Sequence, residues 1–343
     1  MTPEHFKSAL RQVASKQNIS LEEMKGAMGA IMDGQVEDVH MAAFLAALCV
    51  KGETDSEVLG AVEAMRERAT SITPVATDLL DTCGTGGDGA GTFNISTAVA
   101  FVCAAAGKTV AKHGNRAVSS NVGSADVLET LGVRIDLNPE SVTRCIDELG
   151  IGFLFAPHHH SALRHAGPVR RALGFRTVLN LLGPMTNPAS ATHQLIGVFA
   201  LDRVRQVATV LSKLGSKRAL IVHGEDGLDE VSIACPTHCA MWDGEVVRDV
   251  TITPEGLGID RRSLTEVEGG DAARNAEMVR ASLTGTNQAA CDIVRLNAGA
   301  ALWTAEAAPT LQEAVALATD TIRSGAATAK LNELVTLSQD LSP

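Results

Sequence analysis

A short apolar run that ends at Asp81 empties, past Thr82 and Cys83, into four glycines within six residues, Gly84, Gly86, Gly87 and Gly89. Residues without a Cβ let backbone N–H groups approach an anion closely. Asn94, Ser96 and Thr97 stand at the mouth of an almost wholly apolar segment, Ala98 to Ala106. That segment reads as a buried helix whose positive N-terminal end faces the loop. A second apolar step, Thr109 to Ala111, runs into Lys112-His113-Gly114-Asn115-Arg116, which puts cations at the end of a neighbouring strand. Strand, glycine loop, helix start and cationic strand end together describe a site for a phosphorylated, anionic small molecule. Two commoner phosphate motifs fail on their own mechanics. Gly84-x-Gly86-x-x-Gly89 has the dinucleotide spacing, but no acid that could hold a ribose follows before Asp126. Gly107-Lys108-Thr109 ends like a P-loop, but Val102 stands where the earlier glycine is required.

The charge distribution points the same way. A net charge of −11 argues against a nucleic-acid or membrane-surface partner. Yet no Asp or Glu occurs from Gly89 to Ala125 or from Leu149 to Leu201, windows that hold Lys108, Lys112, Arg116, Arg164, Arg170, Arg171, Arg176 and six histidines. An acidic chain that keeps two such windows is expected to line a pocket for anionic ligands with them. No apolar run approaches the ~18 residues of a membrane span, and the charged N-terminus lacks a signal-peptide core. The expectation is therefore a cytoplasmic protein. Seven scattered cysteines make no disulfide framework. Cys235-Pro-Thr-His238-Cys239 lacks a second ligand pair and reads as structural.

With 343 residues the chain has room for two domains or one large one. Residues 1 to 70 read as consecutive helices, with capping boxes at Ser20/Glu23 and Thr54/Glu57 and apolar residues at helical spacing in Met41, Phe44, Leu45 and Leu48. Ser71 to Asp78, with Pro74, reads as a linker. Apolar strand-like runs then alternate with helical patterns through Asp126–Leu131, Pro139–Leu149, Gly152–Phe155, Arg203–Leu214 and Ala219–His223. Further strands are predicted at Val231–Ala234, Ala240–Trp242 and Val246–Ile252, and helices from Asp271 to Leu341. Residues 158–188 interrupt this alternation with a cationic, turn-rich stretch that could leave the sheet, pack on the helical part and return. The predicted fold is α/β, with a small all-helical domain (1–70, joined by part of 158–188) and a larger α/β domain (71–343) around a mostly parallel sheet.

Six motifs, in order and across most of the chain, carry a family resemblance: GTGGD at 84–88, N-x-S-T at 94–97, KHGNRAVSS at 112–120, PVRRALGFRT at 168–177, NLLGPMTNP at 180–188 and HGEDGLDE at 223–230. The chain resembles the anthranilate phosphoribosyltransferase family. The resemblance implies a nucleoside phosphorylase/phosphoribosyltransferase-like fold and transfer of phosphoribosyl from 5-phosphoribosyl 1-diphosphate to anthranilate in L-tryptophan biosynthesis. It also implies Mg²⁺ as cofactor and a homodimer assembled through the helical part.

Carried onto matching positions, it implies a diphosphate loop of Gly84, Gly87 and Asp88, followed by Thr92, Asn94, Ser96 and Thr97. To these it adds the run Lys112, His113, Gly114, Asn115, Arg116, Ala117, Val118, Ser119 and Ser120, and Ser124. Anthranilate falls to Gly84, Asn115 and Arg170, with His113, His160, Gly183 and Pro184 close by. A planar guanidinium suits the bidentate capture of a carboxylate. Metal falls to Ser96, Asp229 and Glu230. Adjacent carboxylates on a loop are, in isolation, most often solvated surface, but Mg²⁺ bound with substrate phosphates needs few protein ligands. At Leu163 and Leu181 relatives often carry larger residues. An arylamine is already a neutral nucleophile, so the implied catalysis is electrostatic, with Lys112 and Asn115 as candidates and no dedicated base. Two rivals remain on sequence grounds. A pyrimidine nucleoside phosphorylase would call for a K-x-S-x-R base-recognition motif, and a non-catalytic nucleic-acid-binding relative for a basic surface.

Overall fold

The computed structural model describes residues 1–117 and 122–342, so Val118, Ser119 and Ser120 lie outside the described residues. Contacts divide the chain into two compact units, Met1–Thr70 with Ala156–Pro188, and Ser71–Phe155 with Ala189–Pro343.

The first unit is helical. Its N-terminal part comprises α1 (Pro3–Ala14), α2 (Leu21–Met32), α3 (Asp38–Lys51) and α4 (Asp55–Arg66). Both capping boxes form, Ser20 with Glu23 and Thr54 with Glu57. Glu57 does more than cap. Fully buried, it also accepts the Ile19 N–H (3.0 Å) and the Lys51 ammonium (2.8 Å), which satisfies a carboxylate that burial alone would disfavour. The packing seed is apolar: Met24, Met28, Ile31, Met41, Phe44, Leu45 and Leu48 are inaccessible, and the Phe6 and Phe44 rings lie 5.1 Å apart. A Cβ at Gly60 would sit 2.4 Å from the Leu21 carbonyl, so α2 and α4 touch through backbone. Residues 156–188 add short helices at Ala156–His159, Gly167–Leu173 and Val178–Leu182, with 3-10 turns at Ser161–His165 and Gly183–Thr186.

The second unit is built on one sheet. It contains β1 (Leu79–Thr82), α5 (Ile95–Ala105), β2 (Thr109–Gly114), α6 (Ser124–Leu131), α7 (Pro139–Leu149), β3 (Ile151–Phe155), β4 (His193–Gly197), β5 (Arg218–Gly224), β6 (Thr237–Trp242) and β7 (Val247–Ile252). The strand order is β3-β2-β1-β4-β5-β6-β7; the pairs from β3 to β5 are parallel, and β6 and β7 run antiparallel. The chain builds outward from β1 through β2 to β3, then returns to place β4 on the other flank of β1. The crevice beyond the C-terminal ends of β1 and β4 is thus the topological switch point, where ligands of open α/β sheets bind. Apolar all round, α5 is buried along its length.

Two expectations for the strands need correction. His193–Gly197, unassigned in the sequence reading, is a fully buried strand between β1 and β5. Val231–Ala234 is not a strand. The amide of Asn297, on the helix Gln288–Thr304, accepts the Val231 N–H (2.8 Å) and donates to its carbonyl (2.9 Å). The Thr237 hydroxyl takes the Ser232 N–H (2.9 Å). Side chains satisfy the backbone there, so no neighbouring strand is needed.

Candidate active site

The loop after β1 needs its glycines for two different reasons. Gly86, Gly87, Gly89 and Gly91 take φ of +64°, +76°, +77° and +68°, the left-handed region that side chains disfavour. Gly84 instead makes room: a Cβ there would lie 2.7 Å from Asp229 Oδ2. Gly197, at the end of β4, would bring a Cβ within 1.5 Å of the Asp229 carbonyl. Asp229 is therefore pressed against the ends of both switch-point strands. Its carboxylate accepts the Gly86 N–H (2.7 Å), and its own N–H donates to Asp88 Oδ2 (3.4 Å). Thr85 completes the join, donating its N–H to the Gly197 carbonyl (2.9 Å) while its hydroxyl accepts the Phe199 N–H (3.1 Å).

Asp88, Asp229 and Glu230 thus gather three carboxylates beside one buried cation. Burial first, then the charge of Asp88, pushes the Asp229 carboxyl up to about 7 from its ordinary 3.8. Burial and Asp229 push Glu230 well above its usual range, against the pull of Lys112 and of the Ser96 N–H. Lys112 is 4% exposed; its ammonium donates to the Thr82 carbonyl (2.7 Å) and to Ser96 Oγ (3.3 Å). Ser96, Lys112, Asp229 and Glu230 are thereby brought together, with more negative charge than the fold neutralises. Two carboxylates and a hydroxyl are hard oxygen donors, which suits a divalent cation such as Mg²⁺.

Other residues singled out in the sequence divide by what they touch. Thr92 forms a backbone bridge with Glu268. Asn94 precedes α5 without capping it; its amide donates to the Val122 carbonyl (3.3 Å) and accepts from Asn275 (2.9 Å). The Thr97 hydroxyl is buried with no hydrogen-bond partner among the described residues. The His113 N–H donates to buried Asp81 (3.1 Å), and ligand atoms of Asp81, Cys83 and His113 lie within 4.8 Å of one another. Burial raises the Cys83 thiol, so it is no ready nucleophile. A Cβ on Gly114 would fall 2.2 Å from Ser124 Oγ. The Asn115 side chain accepts the Arg116 N–H (2.7 Å) and its carbonyl accepts from Ser124 Oγ (3.4 Å). The Ala117 N–H donates to Asp126 (3.2 Å).

In the helical unit, Arg170 lies on Gly167–Leu173. It is half-buried, burial draws its pKa down, and it has no hydrogen-bond or ion-pair partner among the described residues. A guanidinium desolvated without an acid has donors left for a charge-assisted partner such as a carboxylate. His160 is buried and pushed down to about 4, mainly by burial, so it is neutral at pH 7. Arg66 donates to the Met185 carbonyl (2.9 Å), which holds the turn of Gly183 and Pro184.

The description "Glycosyl transferase family, a/b domain" matches residues 76–328, and "Glycosyl transferase family, helical bundle domain" matches residues 7–69. An anthranilate phosphoribosyltransferase of Moorella thermoacetica is 51% identical over 330 residues, spanning 96% of this chain and 97% of its own length. The chain belongs to the anthranilate phosphoribosyltransferase family. The anthranilate phosphoribosyltransferase of Thioalkalivibrio sulfidiphilus is 50% identical over 331 residues, 96% of this chain and 98% of its own. Among solved structures, the anthranilate phosphoribosyltransferase of Thermus thermophilus superposes with a TM-score of 0.92 at 42% identity, over 96% of this chain and 99% of that one. The Saccharomyces cerevisiae anthranilate phosphoribosyltransferase in complex with PRPP and Mg follows at 0.89 and 26% identity, over 99% of both chains.

Within this family fold, sequence reasoning overlooked Asp126, Thr85 and Asn275. The first was legible as the acid closing an acid-free window; the other two act through contacts that only the folded chain creates.

Proposed function

We propose that the chain transfers the 5-phosphoribosyl group of 5-phosphoribosyl 1-diphosphate to the amino group of anthranilate. The products are N-(5-phosphoribosyl)anthranilate and diphosphate, and the step belongs to L-tryptophan biosynthesis. One observation carries this reading: the glycine loop, the buried Lys112 ammonium and the uncompensated carboxylates Asp229 and Glu230 meet at the sheet's switch point. In this reading Asp229, Glu230 and Ser96 would hold Mg²⁺. When bound, the ion supplies charge stabilisation for the departing diphosphate. Lys112 and the loop N–H groups act on the same developing charge. Asn115 orients the amine and Arg170 takes the anthranilate carboxylate, so approach to ribose C1 is a matter of placement. The amine attacks in its neutral form and its proton leaves to solvent, which requires no strong base.

A cytoplasmic homodimer without nucleic-acid or membrane partners belongs to the same proposal. Among the described residues no helix is long and apolar enough to cross a membrane, and the net charge is −11. On α3, Val39 and Val50 are 67% and 77% exposed and Ala43 is exposed between them, an apolar stripe at helical spacing that a second copy would cover. Sedimentation of the Val39→Glu/Val50→Glu variant as a monomer is the expected outcome; an unchanged dimer would place the contact elsewhere.

The activity is tested by following anthranilate fluorescence with donor and Mg²⁺. A loss of signal that requires all three components is expected. A constant signal at every Mg²⁺ concentration would overturn the reading and leave a nucleoside phosphorylase-like activity as the alternative to assay.

A further inference from the structure

Asp126 does what a helix cap alone does not require. One carboxylate oxygen accepts the N–H of the N-cap residue Gly123 (2.9 Å), the half of a capping box that a glycine N-cap allows, but the same oxygen also accepts the Ala117 N–H (3.2 Å) from the far arm of the connection. The other oxygen accepts from Arg116 Nη1 (2.8 Å). Glu129, one turn further along α6, holds the same guanidinium at 2.9 and 3.2 Å. The guanidinium also lies 5.8 Å from the centre of the Phe155 ring. The two arms cross in contact: a Cβ on Gly123 would fall 2.4 Å from the Asn115 carbonyl and 2.5 Å from the Ala117 nitrogen. The Asn115 carbonyl in turn accepts the Ala125 N–H (3.2 Å) and the Ser124 hydroxyl (3.4 Å). Burial opposes the Asp126 charge, yet the Gly123 N–H, Arg116 and the Ala117 N–H together hold its carboxyl below the usual range.

We infer that Asp126 is a positioning residue for the donor site, tying the segment that carries Asn115 to the helix start that carries Ser124, and that Arg116 serves this tie instead of contacting phosphate. The inference rests on the proposed function for the identity of the donor. To reach a phosphate, Arg116 would have to leave two carboxylates that already take its charge-assisted donors. A cap needs only the Gly123 contact. The Ala117 and Arg116 contacts serve placement of the far arm.

The test is calorimetric binding of 5-phosphoribosyl 1-diphosphate with Mg²⁺, a readout that does not depend on turnover. Asp126→Asn keeps the side chain's shape but removes the charge and presents an N–H to N–H groups. Its donor Kd is expected to rise at least tenfold, with the melting temperature within a few degrees of the parent. Arg116→Gln is expected to weaken donor binding less, and the double variant no more than Asp126→Asn alone, because the two residues act through one tie. Should Asp126→Asn fail to fold, Arg116→Gln and Glu129→Gln carry the same comparison on exposed side chains. A donor Kd unchanged in Asp126→Asn, or effects of the pair that multiply as for independent ligands, would overturn the inference. A parent chain that binds donor but consumes no anthranilate would fail the proposed function while the tie is still read from Kd. A parent chain that binds no donor would overturn both.

Discussion

Neutralising the carboxylate pair should stabilise the protein while disabling it. In the fold the Asp229 carboxyl titrates at about 7, against an ordinary 3.8, because burial and Asp88 oppose its charge; Glu230 is displaced in the same direction. A raised folded-state pKa means that the group's contribution to stability is complete below about pH 4 and is lost as pH rises through 7. A shift of this size corresponds to a ceiling of about 4 kcal/mol at pH 8. Solvent screening of these partly buried side chains brings the expected gain for Asp229→Asn/Glu230→Gln to about 1–3 kcal/mol, or roughly 2–8 °C in Tm. Urea unfolding at pH 5 and pH 8 is the assay. The variant should be more stable than the parent at pH 8, and the advantage should shrink toward pH 5. Its turnover should fall severely through kcat and the donor KM, with the anthranilate KM little altered. A variant no more stable than the parent at pH 8, or one that keeps near-normal turnover at limiting Mg²⁺, would return the pair to an ordinary solvated loop.

Arg170→Ala should raise the anthranilate KM tenfold or more, since a charge-assisted bond of about 1.5–3 kcal/mol is lost; a raised donor KM with anthranilate unchanged would mean the role is misassigned. His160 carries the opposite pH signature: held neutral with a pKa of about 4, it lets the unfolded chain take up a proton first as pH falls below 6.5. Stability should therefore drop by up to about 1.4 kcal/mol per pH unit between pH 6.5 and 4 on its account, and His160→Asn, followed by urea unfolding across that range, should flatten the slope. A curve identical to the parent's would refute this. Gly197→Ala should displace Asp229, whose carbonyl lies 1.5 Å from the added Cβ, so Mg²⁺-dependent turnover should collapse even if the sheet survives. Normal turnover in that variant would show that Asp229 tolerates displacement.

Those parts of the fold that depend on neighbouring residues were legible in the sequence. The glycines, the apolar run of α5 and the capping boxes at Ser20 and Thr54 each specify their own backbone, and all appear where their chemistry puts them. His193–Gly197 was not legible, because its extended state comes from pairing with β1 and β5 on either side. Val231–Ala234 carries strand-like side chains, but Asn297, 66 residues away, settles its backbone otherwise. The site divides on the same principle. The acid-free window around Arg170 is visible in the chain, and Arg170 indeed has no acid partner among the described residues. The approach of Asp229 to Asp88 spans 141 residues and exists only once β1 and β4 are adjacent. The cationic cluster around Arg116 is visible in the chain, but its ion pairs with Asp126 and Glu129 come from α6 and exist only in the folded chain.

Phosphorus NMR of the complete reaction tests the central claim most directly, because it follows donor and leaving group together. With Mg²⁺ present, the donor signals should decay only when anthranilate is added, and one diphosphate should appear for each anthranilate consumed. Donor decay that ignores anthranilate, release of inorganic phosphate in place of diphosphate, or no decay at all would contradict it.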